Sequence, residues 1–590
     1  MYMKLKERIT PYVQAVPKIL GFKLLTAIVL AIISSLLMLL SRALMRSTGR
    51  VSVSSGDFTF LFTTWQGYLM IAIMLVIVLL YVAVEVDALI IYISKILHGE
   101  NPSVFKCIGK GIAGLKKYLN YRGIIIILYC TLISPMLGLG FSISLTSTFY
   151  IPNFITSVIF KNPFYTAGVI ALVAFLIVVG IIYCFILHGA LIDDMSIKEA
   201  SIQSRQFLKK NWKNYIFEML RFLLISAIVI AAMYALFILV PSLIIDAIAT
   251  DDKAGMFATT LISTFALALF CLFEVLWSAY LIMKLTVLYH NYKSEGEWKY
   301  TRPAKKAHPV LIIFAVLGVL LIVGISAVYT YYFDDIIPAF THAQYVGHRA
   351  GGVDAPENTV KGIEVAAELN AFGCEIDIQR TSDGYYVVNH DNDFKRVAGV
   401  AKKPSEMTLA EVKQLKVDGE PVPTYEEMLD ASKDKVTLFV ELKGETADEK
   451  MADDAVKAIK EKGMEKQAVL ISLKYDILEY IEQKYPEMET GYLAFFSFGD
   501  IEEMPFDYLA LEEEISTDDA IENIHAKNKK VMVWTVNDPE NIKTFLNSEA
   551  DAIITDEVKK SKEISDDLKK RTPREIIYDL FGTWTVDLAK

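Results

Sequence analysis

Cysteine is scarce in this chain, and what there is does not pair by pattern. Cys107, Cys130, Cys184 and Cys271 fall in an apolar amino-terminal half, and Cys374 stands alone beyond it. That spacing excludes a readable disulfide framework and zinc sites of the Cys-x-x-Cys kind. Positive charge is also short, with 59 Lys and Arg against 69 Asp and Glu. The shortage is one-sided: through Ala343 the chain carries 28 basic and 17 acidic residues, a net +11, and after it 31 and 52, a net −21. An acidic carboxy-terminal half repels a polyphosphate backbone, so nucleic acid is excluded as a partner. A cleavable leader is lacking too, because the first apolar run is long, its polar flank is short and no small-residue cleavage site follows.

What the amino-terminal half has instead is hydrophobic length. Runs near 19–40, 67–91, 123–146, 166–192, 215–240, 257–284 and 310–332 each approach or exceed the roughly 20 residues needed to cross a bilayer. These predict an all-α membrane domain of about seven spans over residues 1–340. Lys and Arg concentrate in the amino terminus and in the second, fourth and sixth connections, which places the amino terminus in the cytoplasm and everything after the last span outside. Arg42, Arg46 and Arg50 in the first connection run against that pattern. The basic stretches before the third and fifth spans resemble each other and predict amphipathic helices on the inner leaflet. Glu85, Asp87, Glu218, Arg221, Glu274 and Lys284 lie within or at the ends of spans, with Glu274 the most central. Glu218 and Arg221, three apart on one helical face, are expected to pair.

From Gln344 the rhythm changes to short apolar runs separated by amphipathic stretches. "QYVGHR", "CEIDIQ", "VTLFVELK", "AVLISL", "TGYLAF", "DYLALEE", "VMVWTV" and "DAIITD" read as strands, and their alternation with helices predicts a (β/α)8 TIM barrel over residues 341–560. "YYVVNHD" is extra, a strand or loop inserted at the mouth after the second strand. Residues 561–590 form a tail, partly helical by composition, that packs on the barrel or the membrane surface.

Polar residues gather at the strands' carboxyl ends, where barrel enzymes build their sites. Glu375 and Asp377, one residue apart, face the same way from a strand. Glu441 ends the next strand and completes three oxygen donors, a set that suits Mg2+ or Ca2+ better than zinc. Arg349 and Lys443 add positive charge, and phosphate fits that combination. His348 and His390 can then divide the proton transfers of a displacement at phosphorus. Trp534 and Asn537 end the seventh strand, whereas His342 and His525 lie outside any such cluster and receive no role.

"HRAGGVDAPENT", "EIDIQRTSDGYYVVNHD", "VPTYEEML", "FVELK", "WTVN" and "ADAIITD" resemble, in order, the motifs of the glycerophosphodiester phosphodiesterase family. The resemblance implies a TIM barrel that uses one divalent cation to hydrolyse glycerophosphodiesters to glycerol 3-phosphate and an alcohol. On this sequence it implies His348 and His390 as the acid and base pair, Arg349 as the phosphate-binding arginine and Glu375, Asp377 and Glu441 as metal ligands. It places Glu357 and Asn358 on a turn that organises the mouth, and Lys443, Trp534 and Asn537 at substrate-lining or supporting positions. Ala350 stands where the family usually has glycine, and "TDEV" lacks a proline often found there. The membrane half is similar to the multi-span domain of some bacterial members, which makes membrane lipid a partner and the cell membrane the location. Alternative expectations are a phosphodiesterase for an envelope glycerol-phosphate polymer or for lipid, and a non-catalytic phosphodiester sensor coupled to a transporter-like domain.

Overall fold

The computed structural model describes residues 2–577 and 579, apart from 55–58, 119, 129–152, 242, 245–252, 297–308 and 334–342. Its amino-terminal part is helical: α1 (Tyr2–Arg46), α2 (Trp65–Tyr81), α3 (Ala88–Leu97), α4 (Val104–Gly114), α5 (Pro163–Tyr183), α6 (Ile197–Tyr234), α7 (Lys253–Lys293) and α8 (Pro309–Tyr331). Among the described residues five helices are long and apolar enough to cross a membrane, and 315–331 adds a shorter apolar one. These make the chain a multi-pass membrane protein. Most of the expected span at 123–146, Cys130, His342 and the Glu274 side chain lie outside the described residues.

The membrane half is organised by a few charges as well as by its apolar core. Between α2 and α3 the backbone widens into a π-helical turn, Val82–Asp87, in which every residue is buried. Such a turn re-aims side chains within a helix. It directs Glu85 at Lys23 of α1, and Thr26 donates to the same carboxylate at 3.4 Å. Asp87 accepts from the Tyr118 hydroxyl at 2.9 and 3.0 Å. Glu218 accepts from Arg221 at 3.1 Å, the expected pair, and also from Lys284 of α7.

In the carboxy-terminal part, eight parallel strands close a barrel: β2 (Gln344–Gly347), β3 (Gly373–Arg380), β5 (Thr437–Leu442), β6 (Ala468–Ser472), β7 (Thr490–Ala494), β9 (Tyr508–Glu512), β10 (Lys530–Trp534) and β11 (Ala552–Thr555). Closure is complete because β2 pairs with both β3 and β11. The extra run is β4 (Tyr386–Val388), antiparallel to the end of β3. Val346, Phe439, Val469, Ile471, Leu493, Ala510, Met532 and Ile554 fill the interior. Cys374, Ile376 and Ile378 point the other way, into the layer between strands and helices. By the period of two, Glu375 and Asp377 therefore face inward.

Helices α9 (Val360–Glu368), α10 (Tyr425–Ser432), α11 (Glu449–Lys462), α12 (Tyr475–Lys484), α13 (Asp518–His525), α14 (Pro539–Leu546) and α15 (Val558–Leu568) surround the barrel. The connection from β7 to β9 departs from the expected alternation. It holds only β8 (Ser497–Gly499) and a 3-10 turn, Ile501–Glu503. Gly499 and Pro505 break a stretch already too short for a helix and two loops. Into this gap comes the first connection of the membrane half: β1 (Ser52–Ser54) pairs antiparallel with β8.

Replacing Lys23 by Met should destabilise the protein by about 3 kcal/mol or more, because Glu85 is left buried without its cation. Thermal unfolding in detergent measures this, and Lys23→Met combined with Glu85→Leu should recover most of the loss.

Candidate active site

The site is assembled on the ends of β2, β3, β5, β10 and β11. His348 continues β2, its backbone N–H bonding Thr555 O at 2.9 Å. The chain then turns sharply, with Arg349 and Ala350 at φ 50° and 71° and Gly352 at φ 59°. A side chain at Gly352 would put Cβ 2.0 Å from Asp556 O, so only glycine passes there. The turn is fastened to β3: Arg349 N donates to Glu375 Oε2 at 2.8 Å and Ala350 N to Glu375 O at 2.6 Å.

Glu375, Asp377 and Glu441 meet at the mouth, with one carboxylate oxygen of each within 4.8 Å of the others. Register explains it, since Asp377 is paired directly with Glu441 across β3 and β5. All three are buried. Asn358, in the left-handed region, donates to Asp377 Oδ2 at 2.9 Å, and Lys443 Nζ reaches Asp377 Oδ1 at 2.8 Å and Glu441 Oε2 at 3.0 Å. Three carboxylates against one ammonium leave a deficit of two charges in a buried place.

The titration of the cluster reflects that deficit. Burial, then Asp377 and Glu441, push the Glu375 carboxyl well above the usual range, and burial raises Glu441 to about 7. Burial opposes ionisation of Asp377 as well, but Lys443, His390 and the Asn358 amide hold it well below its ordinary value. A cluster of oxygen donors that cannot all ionise alone, and lacks two positive charges, fits a hard divalent cation.

The two imidazoles stand with ring centroids 6.4 Å apart and planes at 83°. His348 Nδ1 pairs with Asp556 Oδ1 at 2.7 Å, and His390 Nδ1 with Asp391 Oδ1 at 2.9 Å. In both rings the partner engages Nδ1 and leaves Nε2 for other chemistry. Burial, with Lys443 and Arg349, lowers the His390 value below that of a free imidazole, against the pull of Asp377. Burial would raise Asp556, yet its bonds to His348 and Asn537 bring it to about 2.

Arg349 donates to Glu357 at 3.3 Å, while its buried Nε has no partner among the described residues. Glu357 is gripped by both terminal nitrogens of Arg396, at 2.6 and 2.7 Å, and Arg396 Nε reaches Asp391 at 2.7 Å. A chain of charges thus runs from Arg349 through Glu357, Arg396 and Asp391 to His390. Asp391, Arg396 and Asp556 escaped the sequence reading. Asp391 and Asp556 were visible, one adjacent to His390 and one closing the last strand motif, but Arg396 has no spacing that marks it.

The remaining expected residues divide. Asn537 holds Asp556 through Nδ2 at 2.7 Å and accepts from its N–H at 2.8 Å. Trp534 spends its ring N–H on Ala510 O at 2.8 Å and packs on the barrel interior. Lys443 is engaged with two carboxylates. His525 pairs with Asp551 at 2.9 Å on a surface helix, apart from the cluster.

Comparison with known proteins agrees with this architecture. Residues 348–560 match the model of the glycerophosphoryl diester phosphodiesterase family, and residues 6–329 match the model of the membrane domain of glycerophosphoryl diester phosphodiesterase. A glycerophosphodiester phosphodiesterase of Caldanaerobacter subterraneus is 29% identical over 231 residues, covering 36% of this chain and 93% of the relative. Mouse glycerophosphodiester phosphodiesterase 1 is 35% identical over 125 residues, 19% of this chain and 37% of that protein. Among solved structures, a phosphodiesterase of Oleispira antarctica in complex with the product sn-glycerol-3-phosphate is 24% identical and covers 38% of this chain and 96% of its own, with a TM-score of 0.36. Both halves being matched in order, and the membrane-domain model alone spanning more than half of the residues, the chain belongs to the glycerophosphoryl diester phosphodiesterase family.

Proposed function

We propose that this protein is a membrane-embedded, metal-dependent phosphodiesterase that hydrolyses glycerophosphodiesters to glycerol 3-phosphate and an alcohol. The observation that carries this reading is the convergence, at one barrel mouth, of the three carboxylates with Arg349 and two carboxylate-backed histidines. Glu375, Asp377 and Glu441 would hold one Mg2+ or Ca2+. When bound, the ion supplies charge for the equatorial oxygens of the phosphoryl group.

Arg349 offers its partnerless Nε to a phosphate oxygen, and Glu357 keeps the guanidinium from collapsing onto the metal ligands. His390, neutral near pH 7, accepts a proton at Nε2 from the attacking hydroxyl, either water's or the glycerol 2-hydroxyl. His348 donates from Nε2 to the departing alkoxide, and Asp556 orients the ring and accompanies its charge. Asn537 acts through Asp556 as a positioning residue, and Lys443 keeps Asp377 and Glu441 apart and part-neutralised. The Lys and Arg distribution supports a cytoplasmic amino terminus with the barrel outside the cell membrane.

Full-length protein in detergent should hydrolyse glycerophosphocholine, lose turnover to a chelator and regain it with Mg2+ or Ca2+; tight binding without turnover would leave the sensor reading standing. His348→Ala and His390→Ala should each lower kcat by about a hundredfold or more, while Asp556→Asn should lower kcat with little change in KM. Because the base must be unprotonated and burial lowers its value, the acidic limb of kcat/KM should fall below the ordinary imidazole value of about 6.5. Asp391→Asn removes a bond that raises the His390 value and should move that limb further toward acid.

A further inference from the structure

The seam between the two halves is placed on the rim of the barrel mouth. Strand β8 follows β7 directly, so it lies at the carboxyl end of the fifth barrel strand, the end that carries the site. In the order around the barrel β7 stands opposite β2, which bears His348. Against β8 lies β1, in register from Ser52 with Gly499 to Ser54 with Ser497.

This contact is built with care. Asp500 is 4% exposed, forms an ion pair with Arg42 at 3.2 Å, accepts from Arg46, and its N–H bonds Val51 O at 2.9 Å. Ser54 Oγ meets Tyr492 OH at 2.5 Å on the outer face of β7. Met45, Val53, Phe60 and Met70 bury together with Phe498. Gly499, at φ 122°, lets the strands approach: a Cβ there would fall 2.6 Å from Val51 O. A second fastening lies in the tail, where Ile577 is buried with Met256 of α7 and Phe333 just past α8, and Arg574 reaches Thr259 at 3.3 Å.

Both fastenings use the same level of the helical unit. They engage the carboxyl end of α1, the amino end of α7 and the carboxyl end of α8. The neighbouring exposed aromatics are Trp65 and Tyr68 at the start of α2 and Tyr331 and Tyr332 at the end of α8, each 48% exposed or more. Exposed Trp and Tyr at span ends mark the headgroup layer of a bilayer. A barrel that only needed anchoring would need no paired strand at its mouth, since the segment after Phe333 already tethers it. Half-buried Phe495 and Phe496 lead from β7 into the seam and give this rim apolar surface.

We infer that the substrate is a glycerophosphodiester standing in the bilayer, whose departing alcohol is the lipid anchor, and that the seam of β1 with β8 holds the mouth at headgroup level to receive it. This rests on the hydrolase reading of the mouth given above. Water is consumed, the bond from phosphorus to the lipid-side oxygen breaks, and that oxygen takes the proton. The phosphomonoester leaves to solution, as glycerol phosphate from a phospholipid headgroup or as the phosphate-ended chain from a polymer, and the lipid alcohol stays in the membrane. The shared chemistry is a phosphoglycerol group on an embedded anchor, either a phospholipid headgroup or the anchored end of a glycerol-phosphate polymer.

The test uses the full chain reconstituted in vesicles. Release of soluble phosphomonoester is followed: glycerol phosphate from phosphatidylglycerol in the vesicle, phosphate-ended chain from a lipid-anchored glycerol-phosphate polymer in neutral vesicles, and glycerol phosphate from soluble glycerophosphoglycerol. Arg42→Ala/Arg46→Ala and, independently, Gly499→Ala open the seam. The expected result is turnover of at least one embedded substrate, which names its source. Either seam variant should lower that turnover about tenfold or more, through lost effective concentration at the interface, with soluble turnover within about twofold. Wild-type protein that cleaves soluble glycerophosphoglycerol and neither embedded substrate overturns the inference and leaves the hydrolase reading intact. Equal losses on soluble and embedded substrates in both variants also overturn it. Cleavage of none of the three overturns the hydrolase reading together with the inference.

Discussion

The carboxy-terminal half is arranged around one electrostatic problem: three carboxylates are buried within 4.8 Å of each other with a single lysine among them. Isolated charges of this kind are not tolerated in a protein interior unless paired or bound to metal. The surrounding structure reads as the answer to that problem. The Asn358 amide and Lys443 support Asp377, the Arg349 backbone N–H supports the Glu375 carboxylate, and two units of negative charge remain unmatched. The same turn that satisfies Glu375 carries His348 and Arg349, so placing the carboxylate cluster and placing that histidine and arginine are one structural event.

Beyond the cluster, charges alternate in sign outward. Arg349, Glu357, Arg396, Asp391 and His390 form a continuous run in which each group is held by its neighbours. A run of this kind fixes side chains that would otherwise sample several rotamers, and fixed groups lose less entropy when a substrate is bound. It also ties the β4 insertion, which carries His390, to the loop after β2, which carries Arg349. The insertion is therefore part of the mouth and not a decoration on it.

Much of this was legible in the sequence because the barrel imposes strong local rules. A buried parallel strand should be apolar on both faces, so "CEIDIQ" announces its inward carboxylates by breaking the rule. Direct pairing of Asp377 with Glu441 then needs only the register. Arg396 was not legible, because its partners are 39 and five residues away and its flanks look like any loop. Asn537 and Trp534 were marked as important by position, but their tasks, holding Asp556 and capping the barrel interior, depend on neighbours that only the fold supplies. The missing helix between β7 and β9 was likewise invisible as an absence, because the residues that fill its place come from more than 400 positions earlier, as the 445 between Ser52 and Ser497 illustrates.

That distant contribution resolves the anomaly in charge along the membrane half. Arg42, Arg46 and Arg50 sit in a connection that the positive-inside pattern would leave poor in basic residues. Two of them share an ion pair with buried Asp500, and the third lies over the Phe60 ring at 5.1 Å. A charge committed to a partner in the folded protein has an energetic reason to stand where topology alone would not put it. The same observation bears on the barrel. Asp500 is nearly sealed from solvent at 5% side-chain exposure, so β8 and its turn would bury an unpaired carboxylate if the arginines were absent. Strand β8 and its turn are therefore completed by the membrane half, and at this seam each half satisfies groups that the other cannot.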